Sequence, residues 1–140
     1  MTESAEPNKP VEEISAQGRV LAYIVRADLD PSATRFLTPS DLNLQAGLVV
    51  VAEGERIARH DHKLLTRTVV GTAEAIFIRK GRCEVDIYNG HRELIATREL
   101  RTGDMTLFIE GGHGFRAIEN TVLFEIKQGP YLGLDDKERF

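Results

Sequence analysis

Hydrophobic and polar positions alternate along much of the second half of this chain. Residues 82–88 are the clearest case, because Cys83, Val85 and Ile87 share one face while charged and aromatic residues share the other. This alternation predicts a strand with one buried face, on which Cys83 is a small hydrophobe rather than a nucleophile. Asn89-Gly90 follows and predicts a type I′ hairpin turn into residues 91–100, since both central positions of that turn need a positive φ.

Further strands are predicted at residues 20–25, 48–51, 73–79, 105–110, 113–118 and 121–128, and at residues 56–62, which carry a pair of histidines. A helix start is predicted only at Asp30-Pro31, and Pro39 limits it to a short turn. Residues 1–17 are polar and acidic and predict a flexible N-terminal arm, which leaves residues 18–140 as the folded domain. Short strands with almost no helix predict an all-β sandwich or barrel.

Length and charge narrow the classes of function. A chain of 140 residues is long enough for one domain with a real core. The net charge of −4 argues against nucleic-acid binding, which needs clustered Lys and Arg. No apolar run approaches the ~20 residues of a membrane helix, and the N-terminus lacks a signal-peptide pattern. The single cysteine fits a reducing compartment, so we expect a cytoplasmic protein without nucleic-acid or membrane partners.

Candidate chemistry is concentrated at Arg59-His60-Asp61-His62. On a strand, His60 and His62 point to the same face, so both imidazoles can bind one metal ion. A carboxylate from Glu74 and a third imidazole from His113 would complete a mixed nitrogen and oxygen site. Such a site suits a divalent transition metal (Fe, Mn, Ni, Zn or Cu) and selects poorly among these ions.

The residues that carry a family resemblance are Gly54, His60-Asp61-His62, Glu74 and Gly81, followed by Gly103-Asp104, Gly111 and His113. Together they resemble the two motifs of the cupin superfamily. The resemblance implies a single-domain cupin double-stranded β-helix, a jelly-roll barrel, that binds one metal ion through His60, His62, Glu74 and His113. Two features depart from the family pattern. Eleven residues separate His62 from Glu74, where the usual motif has only a few, and the second motif lacks its proline.

The segment from Phe124 to Tyr131, with Asp136-Lys137 after it, is similar to the end of the WbuC-type cupins. These are small metalloproteins associated with bacterial surface-polysaccharide gene clusters, so the similarity implies a carbohydrate-related setting. Lys127, Gln128 and Tyr131 lie near the predicted end of the barrel, where polar side chains can orient a substrate.

Two classes of function remain open. The first is a metal-dependent enzyme acting on a small polar organic molecule, for which the resemblance favours a sugar or keto acid and isomerase, lyase or dioxygenase chemistry. The second is a non-catalytic cupin that binds a small ligand. A metal-free, sugar epimerase-like cupin with His60 or His113 as general base is a further alternative. We also expect a homodimer, because a small barrel has sheet edges and apolar outer residues such as Phe77.

Overall fold

The computed structural model describes residues 9–140, apart from the side chains of residues 134 and 135. The described residues divide into two compact units, one of residues 9–29 with 71–140 and one of residues 30–70. The strands pair antiparallel throughout, which confirms the all-β prediction. Within residues 9–140 the only helix is a 3-10 turn at Gly133–Asp136, and no helix is long and apolar enough to cross a membrane.

The strands are β1 (Val11–Ala16), β2 (Arg19–Val25), β3 (Arg35–Phe36), β4 (Gly47–Leu48), β5 (Glu74–Lys80), β6 (Arg82–Tyr88), β7 (Leu94–Arg101), β8 (Met105–Phe108), β9 (Gly112–Ala117) and β10 (Val122–Lys127). In the first unit, a five-stranded sheet has the order β1-β2-β8-β5-β10 and a three-stranded sheet has the order β7-β6-β9. Alternate side chains of both sheets meet in one core, where Ile24 and Ile78 from the first sheet pack with Val85 and Ile87 from the second.

The strand predicted at residues 82–88 is confirmed as β6, and its alternation decides which face is buried. Cys83, Val85 and Ile87 are at most 1% exposed, whereas the residues between them are partly exposed. The strands predicted at residues 20–25, 73–79 and 121–128 are likewise present as β2, β5 and β10.

The hairpin between β6 and β7 turns differently from the prediction. Its three loop residues are 90–92, and Arg92, rather than Gly90, has the positive φ of 64°. The Arg92 N–H donates to the Asn89 carbonyl oxygen at 3.0 Å, which closes the turn. The Asn89 side-chain oxygen also accepts hydrogen bonds from the N–H groups of His91 and Glu93. These bonds favour the wider turn over the two-residue type I′ turn.

The prediction of a flexible arm over residues 1–17 is wrong for residues 11–16, which form β1. Alternate residues Glu12 and Ile14 are buried while Glu13 and Ser15 are exposed, so the strand covers one edge of the core against β2. The charged residues hid this alternation in the sequence. The first eight residues of the predicted arm lie outside the described part of the chain.

The second unit departs most from the sequence predictions. No helix forms at Asp30-Pro31, because the short polar segment there has no apolar stripe to bury. The strand predicted at residues 48–51 shortens to β4, which pairs with β3. Beyond it, Val49, Val50 and Val51 have no strand partner and are 39–57% exposed.

The strand predicted at residues 56–62, which was to carry the histidine pair, is also absent. Residues 49–73 contain neither helix nor strand. β-Branched residues in this segment favour extended backbone, but a strand also needs a neighbour with which its peptide groups can pair.

Candidate functional site

Glu74 and His113 lie in direct contact in the first unit. The Glu74 Oε1 and His113 Nε2 atoms are 2.9 Å apart. Glu74 is the first residue of β5 in the five-stranded sheet, and His113 is the second residue of β9 in the three-stranded sheet. The contact therefore joins the two sheets at one end of their shared core.

The His113 ring is held by aromatic packing. It stacks on the Phe108 ring with centroids 3.8 Å apart and an interplanar angle of 12°, and Phe115 meets it edge-on at 6.0 Å. Phe108 is itself buried and lies opposite Glu74 in the pairing of β5 with β8. One core residue thus orients the imidazole and neighbours the carboxylate.

A glycine pair places the start of β9. Gly111 has a φ of 79°, and a Cβ there would overlap the Tyr88 carbonyl oxygen. Only glycine combines this left-handed backbone with so close an approach of two chains. Gly111 therefore forms the turn that leads into β9 and places His113 as the second residue of that strand.

The Glu74 carboxyl is subject to opposing electrostatic effects. Burial raises its pKa, but the hydrogen bond and charge of His113 lower it. A hydrogen bond with Glu125 and the positive charge of Lys127 lower it further. The net result is a pKa below the usual value, so Glu74 is an anion at neutral pH.

An open cleft of about 810 Å³ surrounds the pair. The aromatic side chains of Tyr88 and Phe140 line the cleft, together with acidic and basic residues. These charged residues are Glu74, Arg92, Glu125, Lys127, Asp136, Lys137, Glu138 and Arg139. The Phe140 ring contacts Tyr88 edge-on at 5.1 Å, and Arg92 pairs with Glu138 at 3.1 Å. Residues 136–140 therefore form one wall of the cleft.

The predicted substrate residues have different positions. Lys127 lines the cleft, while Gln128 and Tyr131 are not among its described lining residues. Tyr131 is exposed on the surface with the Lys127 ammonium 5.2 Å from its ring centroid. Glu125 was missed in the sequence, although its two-residue spacing from Lys127 on β10 places both on one face.

His60 and His62 belong to the second unit. Their ring centroids are 5.3 Å apart, so the two imidazoles are neighbours although they are not on a strand. Both side chains are exposed, and the His60 Nδ1 atom lies 2.9 Å from the Ala58 carbonyl oxygen. Each unit therefore holds one pair of the predicted ligands: His60 with His62 in the second unit, and Glu74 with His113 in the first.

Among the described residues of each unit, no three His, Cys, Asp or Glu side chains are grouped closely enough to hold a metal ion. The predicted four-residue site stays a prediction. Comparisons of the chain with protein-family models, with curated proteins and with solved structures found no match.

Proposed function

We propose that this chain is a metal-binding protein of the cupin type, with a jelly-roll fold and one divalent transition metal ion held by His60, His62, Glu74 and His113. Its function is that of a metal-dependent enzyme acting on a small polar organic molecule such as a sugar or keto acid. The ligand assignment comes from the motif resemblance.

The observation that carries this proposal is the contact between Glu74 and His113. These residues are far apart in the sequence and belong to different motifs, yet their donor atoms lie 2.9 Å apart. Two donors bound at right angles to one octahedral ion at about 2.1 Å would be about 3.0 Å apart. The separation therefore fits two adjacent ligands of one ion, and the ionised Glu74 supplies the negative charge that a divalent cation prefers.

Side chains in the cleft would have distinct roles. Phe108 would hold the His113 ring in place, since residues packed behind a metal ligand commonly fix its orientation. Lys127 and Arg92 provide positive charge for an anionic group of the substrate. A bound metal ion would supply Lewis acidity, or lower the pKa of a bound water.

The same contact also favours a second candidate, a metal-free enzyme in which His113 is the general base. A carboxylate that accepts a hydrogen bond from one imidazole nitrogen fixes the orientation of the ring. This alternative needs neither His60 nor His62.

Metal content distinguishes these functions. Protein purified without a histidine tag should contain about one transition metal ion per chain, and removal of the ion with a chelator should abolish turnover of a sugar or keto-acid substrate. Activity that persists in metal-free protein and is lost in His113→Gln would favour the metal-free enzyme. Bound metal and ligand without turnover would favour the non-catalytic binding protein. Protein that neither retains nor takes up metal would overturn the metal-site proposal.

A further inference from the structure

The last strand, β10, is an end strand of the five-stranded sheet. Among the described strands it pairs only with β5, so one of its edges carries backbone N–H and C=O groups without a strand partner. Such an edge is a template for another strand, and proteins commonly protect it with charges, proline or a covering segment. β10 has no proline, and its first three residues, Val122, Leu123 and Phe124, are all apolar.

The outer face of this edge is apolar. Val122, Phe124 and Ile126 alternate along β10 and are 47–50% exposed, and Phe77 beside them on β5 is 39% exposed. The Phe77 and Phe124 rings meet edge-on with centroids 6.4 Å apart. The edge and the apolar face therefore coincide on the same strand.

We propose that β10 of two copies of this chain pair antiparallel about a twofold axis at Phe124, which joins two five-stranded sheets into one. A second copy of the chain suits this edge because, in the antiparallel arrangement, the apolar side chains of one β10 strand lie opposite those of the other. Phe124 would face Phe124 of the second copy, and Val122 would face Ile126.

Hydrogen bonding within the sheet limits the register. The Gln128 N–H donates to the Ala73 carbonyl oxygen, and the pairing of β10 with β5 is regular from there back to Leu123, where the register shifts. In an antiparallel pair every second residue bonds to a given neighbour, so Phe124 and Ile126 bond to β5 while Leu123, Glu125 and Lys127 direct their peptide groups to the outer edge.

In the joined sheet, the apolar side chains of both β10 strands must lie on the same face, so a register shifted by one residue is excluded. The two remaining registers nearest the middle of β10 are centred on Phe124 and on Glu125. A centre at Glu125 would place two carboxylates directly opposite each other, which destabilises the pair. The centre at Phe124 avoids this and pairs Leu123 with Glu125 on the other face.

Pairing of β10 with a second copy would also affect the cleft. The proposed pairing does not depend on the proposed function. Glu125 and Lys127 extend from the opposite face of β10 and line the cleft beside Glu74. A β10 strand paired on both edges would hold Glu125 and Lys127 in place in both copies.

Crosslinking tests the register. Phe124 would form a non-hydrogen-bonded pair with Cα atoms about 4.5 Å apart, within the range for a disulfide. We expect Phe124→Cys to form a covalent dimer with oxidised glutathione. Phe77→Cys should not, because three strand spacings would separate its Cα atoms by about 14 Å. Wild-type protein is a further control, since its Cys83 is buried and should not crosslink.

Light scattering at tens of micromolar tests the interface without crosslinking. Wild-type protein should be a dimer, Phe124→Lys a monomer, and Ile95→Lys, which alters an exposed apolar residue on β7, a dimer. Circular dichroism confirms that each variant is folded, and the Phe124→Cys result still decides if the lysine variant unfolds. A monomeric wild type would overturn the proposal, as would crosslinking of Phe77→Cys in place of Phe124→Cys. Either result would mean that this edge of β10 does not pair with a second copy in this register.

Discussion

Cys83 is a thiol enclosed by the core of the first unit. It is 1% exposed, and burial raises its pKa above the ordinary value of 9.0, with a further rise from the negative charge of Asp104. A raised pKa in the folded state means that the folded protein keeps the thiol proton at pH values where the unfolded chain has lost it. The contribution of Cys83 to stability is therefore complete below the ordinary thiol pKa and is lost as the pH rises above it.

We predict that Cys83→Ala makes stability less sensitive to alkaline pH. The free energy of unfolding of the wild type should fall more steeply between pH 8 and pH 10 than that of the variant, by at most ~1.4 kcal/mol per pH unit. Urea unfolding of both proteins at several pH values measures the difference. Equal slopes would show that the Cys83 proton does not contribute.

At the scale of single elements, the sequence predicts strands whose residues alternate. The alternation in β6 predicted its buried face correctly, because one core covers one side of that strand. The valine run at residues 49–51 failed as a prediction, since propensity for extended backbone does not say whether a neighbouring strand exists. In the site, the motifs grouped Glu74 with His113, which lie together, while Glu125 was missed because neither motif contains it.

The turn into β9 depends on one glycine. We predict that Gly111→Ala lowers the free energy of unfolding by at least ~2 kcal/mol, because an alanine Cβ would both disfavour the positive φ and overlap the Tyr88 carbonyl oxygen. Gly114→Ala, within β9 itself, is the matched control, since nothing lies within 4 Å of the added Cβ. Thermal unfolding of the two variants should give a large loss for the first and a small change for the second. Similar losses in both would contradict this account of the turn.

At the scale of the whole first unit, a buried ion pair connects the two sheets. The Arg98 side chain of β7 donates to the Glu12 Oε1 atom of β1 at 2.8 Å from Nε, and Nη2 lies 2.6 Å from the same oxygen. The Glu12 side chain is 1% exposed and that of Arg98 is 19% exposed. Breaking a buried pair is costly because the remaining charge stays away from water without a counter-ion.

We predict that Glu12→Gln, which keeps the shape but removes the charge, lowers the free energy of unfolding by about 1.5–3 kcal/mol, the range for a hydrogen bond to a charged group. The matched control is Glu84→Gln, because Glu84 pairs with an arginine whose side chain is 68% exposed. Exposed pairs contribute ~1 kcal/mol or less, so the control should change little. Urea unfolding measures both. Equal small effects would mean that the connection between the sheets does not depend on this pair.

The proposed metal centre requires His60, His62, Glu74 and His113 to bind one ion together. Elemental analysis of untagged protein after loading and dialysis measures the metal occupancy per chain. We expect about one ion in the wild type, an empty site in His60→Ala, His62→Ala and His113→Ala, and affinity lowered at least ~10- to 100-fold in Glu74→Gln. His91→Ala, which alters an exposed histidine in the hairpin turn, should keep full occupancy. Full occupancy in His60→Ala or His113→Ala would rule out the four-residue site.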